Sequence, residues 1–321
     1  MVFSDADWLD AAAAVAARGR PLSRPNPAVG ALIVKDGRVI GRGWTRDGGR
    51  PHAEAEALAH AGEVARGATA YVTLEPCAHD SPRGPACAFS LREACLARVV
   101  IGCEDPDPRT AGAGIAMLRA AGIEITLLPS PAATRSLEGY LSRARAGRPH
   151  TTLKLATSVD GCIAMADGAS QWITGPEARA HGHALRARCD AILVGGETLR
   201  ADSPRLDVRL PGLEARSPAR WVLTRGTAPE GWQVIADPAE GTFGEAQYLL
   251  IEGGAGAAAA FLSADRVDRL LLYRAPILIG AGRRGLGDIG LGSLSEAHGR
   301  WLLTDRRRLG SDTLDVYDRI R

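Results

Sequence analysis

The stretches "TLEPCAHDSPRGPAC", residues 73–87, and "PHAEAEAL", residues 51–58, decide how the first part of this chain is read. The longer one ends an apolar run, turns through Pro76 into Cys77, and closes on Cys87 with nine residues between the two cysteines. The shorter one opens on His52 and carries Glu54 at the start of an alanine-rich segment. Thiolate sulfur and imidazole nitrogen are preferred ligands of zinc, and a catalytic zinc keeps three protein ligands and leaves its fourth position to water. His52, Cys77 and Cys87 supply three. Residues two apart in mid-helix point to different sides. At a helix N-terminus both can reach a site beyond the helix end, which places Glu54 to handle protons. A second helix start at Cys77, directly after a strand, would stabilise its thiolate. A structural zinc remains an alternative, with His79 or Cys95 as fourth ligand.

Outward from these motifs, the first 128 residues alternate between helical and strand periodicity. Residues 5–18 read as a helix. "GALIVK" and "RVIGRGW" flank Asp36-Gly37, a dipeptide that favours a tight hairpin turn. A helix from His52 to Arg66, the strand "TAYVTLE", a helix over 88–96, the strand "ARVVIG", a helix over 111–121 and the strand "IEITLL" follow. Such alternation predicts a mixed sheet covered on its faces. Residues 129–150, rich in Pro, Ser, Gly and Arg, read as a linker with room for one short helix. "TTLKLATS" then opens a second α/β unit, with "CDAILVGG", "ARWVLT", "QYLLIEGG" and "DRLLLYRAPILIG" as strands. The domains are expected at 1–147 and 148–321, with no internal repeat.

A chain of 321 residues has room for two domains of ~150 residues, each with its own core. A net charge of +2 leaves no electrostatic footprint for nucleic acid or a membrane surface. No apolar run approaches the ~18 residues of a membrane span. The alanine-rich segment at 11–16 follows Asp5, Asp7 and Asp10 instead of a basic region, so it reads as a helix and not a signal segment. Six cysteines are too sparse for a disulfide scaffold and point to a reduced, cytoplasmic protein. Cys95, Cys103, Cys162 and Cys189 lie in apolar segments and are expected in the core. Lys35 and Lys154 are the only lysines. Lys154 sits inside an apolar strand, where a charge is costly unless paired, and that suggests a task.

Histidine-x-glutamate with proline-cysteine is the pattern of zinc deaminases. In that chemistry the metal brings the pKa of bound water toward about 7, and the glutamate carries its proton to the leaving amine. The runs "NPAVGALIVKDGRVIGRGW", "PHAEAEAL", "GATAYVTLEPCAHDSPRGPAC" and "ARVVIGCEDPDPRTAGAG" resemble the deaminase half of the bifunctional riboflavin-biosynthesis deaminase–reductase family. Other deaminases close the site with Pro-Cys-x-x-Cys. This family uses a longer loop, from Pro-Cys-Ser-His to Arg-Thr-Pro-Pro-Cys, and here "PCAH" and "RGPAC" stand one residue further apart. The resemblance implies a cytidine-deaminase-like three-layer α/β/α domain, with Zn2+ on His52, Cys77 and Cys87 and Glu54 as catalytic proton carrier. It also puts Asn26, His79 and Arg83 against the pyrimidine or its phosphoribosyl group. Thr45 stands where many relatives have histidine.

"LLIEGGAGAAAAFL", residues 249–262, reads as strand, glycine-rich turn and helix. Backbone N–H groups at such a helix start suit a diphosphate, although the GxGxxG fingerprint is absent and an alanine-rich packing helix is the alternative. "TLKLATSVDGCIA" and the run 168–209 resemble the reductase half of the same family, which implies a dihydrofolate-reductase-like α/β domain using NADPH. Ala156, Trp172, Thr198, Asp202, Gly253, Gly254, Ala255 and Gly256 fall on cofactor positions. Ser170, Arg186, Leu206, Arg209 and Glu252 fall on substrate positions, the arginine fork matching phosphate oxygens. Lys154 falls beside the substrate as a catalytic group, and Arg225 is expected near the 2′-phosphate of NADPH.

The whole resemblance implies two reactions on one chain. Zinc-dependent deamination of 2,5-diamino-6-(5-phosphoribosylamino)pyrimidin-4-one comes first, then NADPH-dependent reduction of its ribosyl group to ribityl. It further implies a homodimer or homotetramer acting on small molecules, with neither nucleic acid nor membrane as partner. Two other readings stay open. One is a nucleoside or transfer-RNA deaminase fused to an unrelated reductase, the other a non-catalytic binding protein with an empty metal site.

Overall fold

The computed structural model describes residues 3–79 and 81–321. It separates into two units, Met1–Arg148 and Pro149–Arg321.

In the first unit, α1 (Asp5–Ala16) precedes β1 (Gly30–Lys35), β2 (Arg38–Trp44), α2 (Ala53–Ala61), β3 (Thr69–Val72) and α3 (Cys87–Glu93). Then come β4 (Arg98–Ile101), α4 (Ala113–Ala120), β5 (Glu124–Leu127), α5 (Pro131–Ser136) and α6 (Glu138–Ala146). The sheet order is β2-β1-β3-β4-β5, with β1 antiparallel to both neighbours and the remaining pairs parallel. Asp36 and Gly37, both at positive φ, close the β1–β2 hairpin as their types predict.

Side chains of successive strand residues leave on opposite faces. Ile33, Val72 and Ile101 pack with Ala57 of α2, Leu91 of α3 and Leu118 of α4. Leu32, Tyr71 and Val100 pack on the other face with Leu9 and Ala12 of α1. Helices therefore cover both faces, giving three layers. Helix α2 lies almost on β2 because that strand presents glycines to it: a Cβ on Gly41 or Gly43 would collide with the carbonyl oxygen of Ala57 or Ala53. That close seat fixes where α2 begins.

Residues 129–150 are not a linker. The Ser130 side chain accepts from the Ala133 N–H, and Pro131 occupies the first turn of α5. Ala133, Leu137 and Leu141, spaced four apart, are all buried. The helix expected over 88–96 stops at Glu93, and Cys95 follows at φ 51° and is exposed, not in the core. Cys103 is only partly buried.

The second unit contains β6 (His150–Thr157), β7 (Cys162–Ala164), α7 (Pro176–Arg186), β8 (Ala191–Gly195), α8 (Gly196–Asp202), β9 (Ala219–Leu223) and β10 (Trp232–Ile235). It continues with β11 (Tyr248–Ile251), α9 (Ala255–Ser263), β12 (Arg269–Arg274), β13 (Arg283–Arg284), β14 (Trp301–Leu309) and β15 (Asp312–Arg319). Its main sheet has the order β10-β9-β8-β11-β6-β12-β15-β14, parallel from β10 through β12 and antiparallel beyond. β7 and β13 form a separate ribbon. Only 269–274 of the long apolar run at 268–280 stay in the sheet. The terminal hairpin β14–β15 and the helices α7 and α8 are absent from the elements that the sequence predicts.

Strand β8 feeds directly into α8, and β11 feeds into α9 through Glu252, Gly253 and Gly254. A Cβ on Gly253 would stand 2.9 Å from the Gly195 nitrogen, so only glycine lets these two strand ends approach. Sites in open α/β sheets form at such carboxyl ends. Among the described residues, no helix is long and apolar enough to cross a membrane.

Candidate functional site

In the first unit His52 is the N-cap of α2, Cys87 opens α3, and Cys77 lies in the extended segment after β3. It is thus Cys87, and not Cys77, that begins a helix. His52 Nδ1 lies 3.2 Å from Cys87 Sγ and 3.6 Å from Cys77 Sγ. A tetrahedral zinc with Zn–S of about 2.3 Å and Zn–N of about 2.0 Å separates such atoms by roughly 3.5 Å. One ion fits. Among the described residues this is the one cluster of its kind, and neither His79 nor Cys95 joins it.

The thiols argue for a cation in their own way. Hydrogen bonding from Cys87 pushes Cys77 down to about 4, helped by the Cys87 N–H, which donates to the Cys77 sulfur at 3.3 Å. Hydrogen bonding to Cys77, together with burial, pushes Cys87 well above its ordinary value. The first thiolate forms readily and the second resists. A dication that takes both as ligands removes the conflict.

Glu54 stands in the first turn of α2 and is 3% exposed. Burial pushes its carboxyl up, against the opposing pull of His52. It reaches the Cys87 thiol and, among the described residues, is paired with no arginine or lysine, so it can take and return a proton. A bound dication would draw its pKa back down.

The Asn26 side-chain amide sits 2.9 Å from the Gly49 carbonyl and 3.0 Å from His52 Nε2. It holds the far side of the imidazole, as outer partners of metal ligands do. His79 is partly buried, and its Nδ1 has no partner among the described residues. Arg83 donates to the Gly48 carbonyl at 2.7 Å, while Arg50 donates to the Pro85 carbonyl at 3.3 Å. These crossed arginines tie the long closing loop to the 46–50 turn. Thr45 is buried and its hydroxyl accepts from the Val29 N–H at 3.0 Å, a structural role. Sequence reasoning passed over Glu75, a buried carboxylate that accepts from the N–H groups of Gly112 and Ile115 and so anchors the start of α4 beside Pro76. A lone glutamate ending an apolar strand was its available signal.

In the second unit a cavity of about 680 Å³ opens at the carboxyl ends of β6 and β11. Lys154, Ser170, Arg186, Arg209 and Glu252 line it, and so do Ala156, Trp172, Thr198, Asp202 and the turn Gly253, Gly254, Ala255 and Gly256. Leu206 is not brought there; it is buried beside Ile192 and Tyr248. Arg225 also lies outside the lining, whereas Arg283 and Arg284, unremarked in the sequence, belong to it.

Glu252 organises the polar end. Arg186 grips it with Nε at 2.7 Å and a second nitrogen at 3.0 Å, and donates again to the Asp207 carbonyl at 2.9 Å. Lys154 Nζ lies 3.8 Å from the same carboxylate and 5.7 Å from the Tyr273 ring centre. Burial opposes ionisation of Glu252, but the Lys154 ammonium and the Arg186 fork outweigh it and hold the carboxyl below its usual range. Arg186 is thereby committed within the protein. Lys154 has the pairing that its place in an apolar strand demanded.

Trp172 is 63% exposed, with the Arg179 guanidinium 4.9 Å from its ring, so it walls the cavity instead of filling the core. Thr198 accepts from the Gly254 N–H at 3.1 Å and ties α8 to the start of α9. A Cβ on Gly256 would meet nothing within 4 Å, so this turn presents bare backbone to the cavity. That suits a diphosphate at a helix start.

The sequence matches the family described as cytidine and deoxycytidylate deaminase zinc-binding region over residues 3–103, and the RibD C-terminal domain over 149–244 and 241–314. The riboflavin biosynthesis protein RibD of Haemophilus influenzae is 37% identical over 98% of this chain and 97% of its own length. The RibD of Mycobacterium tuberculosis H37Rv is 39% identical over 90% of each chain. Among solved structures, Acinetobacter baumannii RibD has a TM-score of 0.87 at 34% identity and covers 99% of both chains. The diaminohydroxyphosphoribosylaminopyrimidine deaminase/5-amino-6-(5-phosphoribosylamino)uracil reductase of Thermotoga maritima has a TM-score of 0.87 at 28% identity over 98% of this chain and 99% of its own.

Proposed function

The chain belongs to the RibD family of bifunctional riboflavin-biosynthesis deaminase–reductases, and from that premise we propose how its residues divide two reactions. It is an enzyme with a zinc-binding deaminase domain and a reductase domain of the NADPH-using type. The substrate of the first reaction is 2,5-diamino-6-(5-phosphoribosylamino)pyrimidin-4-one. The deaminated product, still carrying its ribosyl phosphate, is the substrate of the second.

Zinc, when bound to His52, Cys77 and Cys87, supplies the Lewis acidity that makes water a nucleophile near neutral pH. Glu54 takes up a proton from the attacking water and delivers it to the departing amine, so that ammonia leaves. Asn26 keeps the His52 ring oriented at the edge of the substrate site. His79 and Arg83, on the closing loop, face the pyrimidine and its phosphoribosyl group.

NADPH, when bound, supplies hydride for the ribosyl C1′. The turn from Gly253 to Gly256 takes its diphosphate, with Ala156, Trp172, Thr198 and Asp202 around the rest. Lys154 and Ser170 position the substrate, the Glu252–Arg186 pair fixes Lys154, and Arg209 faces the phosphate. The protein contributes placement. In solution the chain assembles as a homodimer or homotetramer, which light scattering would read.

The observation that carries this reading is the convergence of one imidazole, two sulfurs and one buried, unlocked carboxylate. Its test follows ammonia release and NADPH oxidation together in Glu54→Gln. Ammonia release should stop while supplied deaminated intermediate is still reduced. Equal loss of both activities overturns the assignment of two independent sites.

A further inference from the structure

One more titratable side chain stands at the polar end of the reductase cavity, without a task so far. His183 precedes Arg186 by three residues on α7, so both leave the helix on neighbouring positions of one face, and both line the cavity. The His183 ring lies against the 207–209 turn, where the Arg209 N–H donates to Nδ1 at 3.3 Å. A nitrogen that accepts carries no proton, so the neutral ring keeps its proton on Nε2. The surroundings hold the ring neutral. Burial disfavours the imidazolium, and the Arg186 and Arg209 guanidiniums repel it, against the pull of the Asp207 carbonyl and the Glu252 carboxylate.

The charged groups beside it each have a carboxylate partner. Lys154 and Arg186 face Glu252, and Arg209 Nε stands 3.4 Å from the Asp207 carboxylate. His183 is the neutral donor among them.

We propose that His183 donates from Nε2 to an uncharged acceptor oxygen of the sugar–pyrimidine substrate, a ring carbonyl or a ribosyl hydroxyl. It sets the register of the substrate in the cavity and does not grip the phosphate, a task for a cation such as Arg209 or Arg284. A site built around one hydrogen bond to substrate discriminates strongly, because removing the partner leaves a polar group unmatched. This inference rests on the reading of the cavity as the reductase site.

The test uses the full chain with His183→Ala and His183→Gln, assayed on deaminated intermediate with NADPH. His183→Ala should lower kcat/KM for the intermediate by about tenfold to a hundredfold, mainly through KM. The NADPH dissociation constant should stay within about twofold of wild type, as expected away from the cofactor. His183→Gln, whose amide N–H reaches toward the place of Nε2, should recover most of the loss, and ammonia release should be unchanged in both. The proposal falls if His183→Ala stays within about threefold of wild type, if His183→Gln is equally impaired, or if NADPH binding weakens in parallel. Failure of the wild-type chain to oxidise NADPH with this intermediate would sink the reading of the cavity, and the proposal with it.

Discussion

Two shielded glutamates, one in each unit, show how partners divide roles between identical side chains. Glu54 is 3% exposed and the Glu252 side chain 9%, so both have lost most of their water. Glu54 faces an imidazole and two sulfurs, and burial pushes its carboxyl up. Glu252 meets the same penalty, but an ammonium and a guanidinium reverse it and hold the carboxyl down. The first is left able to take up and return a proton. The second is a standing anion that keeps Lys154 and Arg186 in place. Environment, more than residue type, separates chemistry from architecture here.

The largest effect expected from breaking this contrast is at Glu54. Glutamine keeps the shape and removes the proton carrier, so ammonia release should fall by about 10²–10⁴-fold. Reduction of supplied intermediate should not change. Stripping the metal with a chelator should likewise silence deamination alone, and added zinc should restore it. Loss of both activities on chelation would show the two units to be coupled.

Glu252→Gln should act in the opposite way, through positioning. It leaves a gripped guanidinium without its anion, a defect of about 3 kcal/mol for a shielded pair, read as an earlier urea midpoint of the second unit. Reductase kcat/KM should fall while ammonia release is kept. The pH dependence follows from the sign of the shift. A depressed carboxyl gives stability that is present above the ordinary value of 4.5 and lost as pH falls through the folded value. Melts of wild type should therefore drop more steeply below pH 4.5 than melts of Glu252→Gln.

A finer contrast lies within the cofactor turn. Gly253→Ala meets the Gly195 nitrogen at 2.9 Å, and NADPH affinity should weaken about tenfold as the turn shifts. Gly256→Ala meets no protein atom within 4 Å, so the turn keeps its shape and affinity should weaken less, by about threefold, through the added methyl alone. Fluorescence titration of NADPH reads both.

The two units also differ in how far their sequences could be read. The metal cluster comes from side chains at the start of α2, after β3 and at the start of α3, and its residue types announce their chemistry. The reductase cavity is assembled from strand ends between Lys154 and Arg284, whose types are individually bland. Resemblance located most of that wall; residue chemistry alone would not have. Leu206 and Arg225 are the exceptions, and Leu206 turns into the core at a positive φ that no sequence pattern marks. His183 had a faint signal, since histidine is scarce in this chain and two stand close together in "AHGHALRAR". The inner strands β1, β3 and β4 of the first unit are legible because both their faces are buried, which makes the runs nearly uniformly apolar. Residues 131–146 were misread from composition, although Ser130-Pro131 is a helix-start pair and Ala133, Leu137 and Leu141 already form an i+4 stripe. Cys95 was misplaced because the helix before it ends early and turns it outward.

The deaminase chemistry depends most on what His52, Cys77 and Cys87 hold together. X-ray absorption at the zinc edge of the full chain, purified without chelator, reads this directly. It should show one zinc per chain with two sulfur neighbours at about 2.3 Å and two lighter neighbours at about 2.0 Å. A shell of three or four sulfurs, or metal-free protein with Cys77 and Cys87 oxidised to each other, would contradict it.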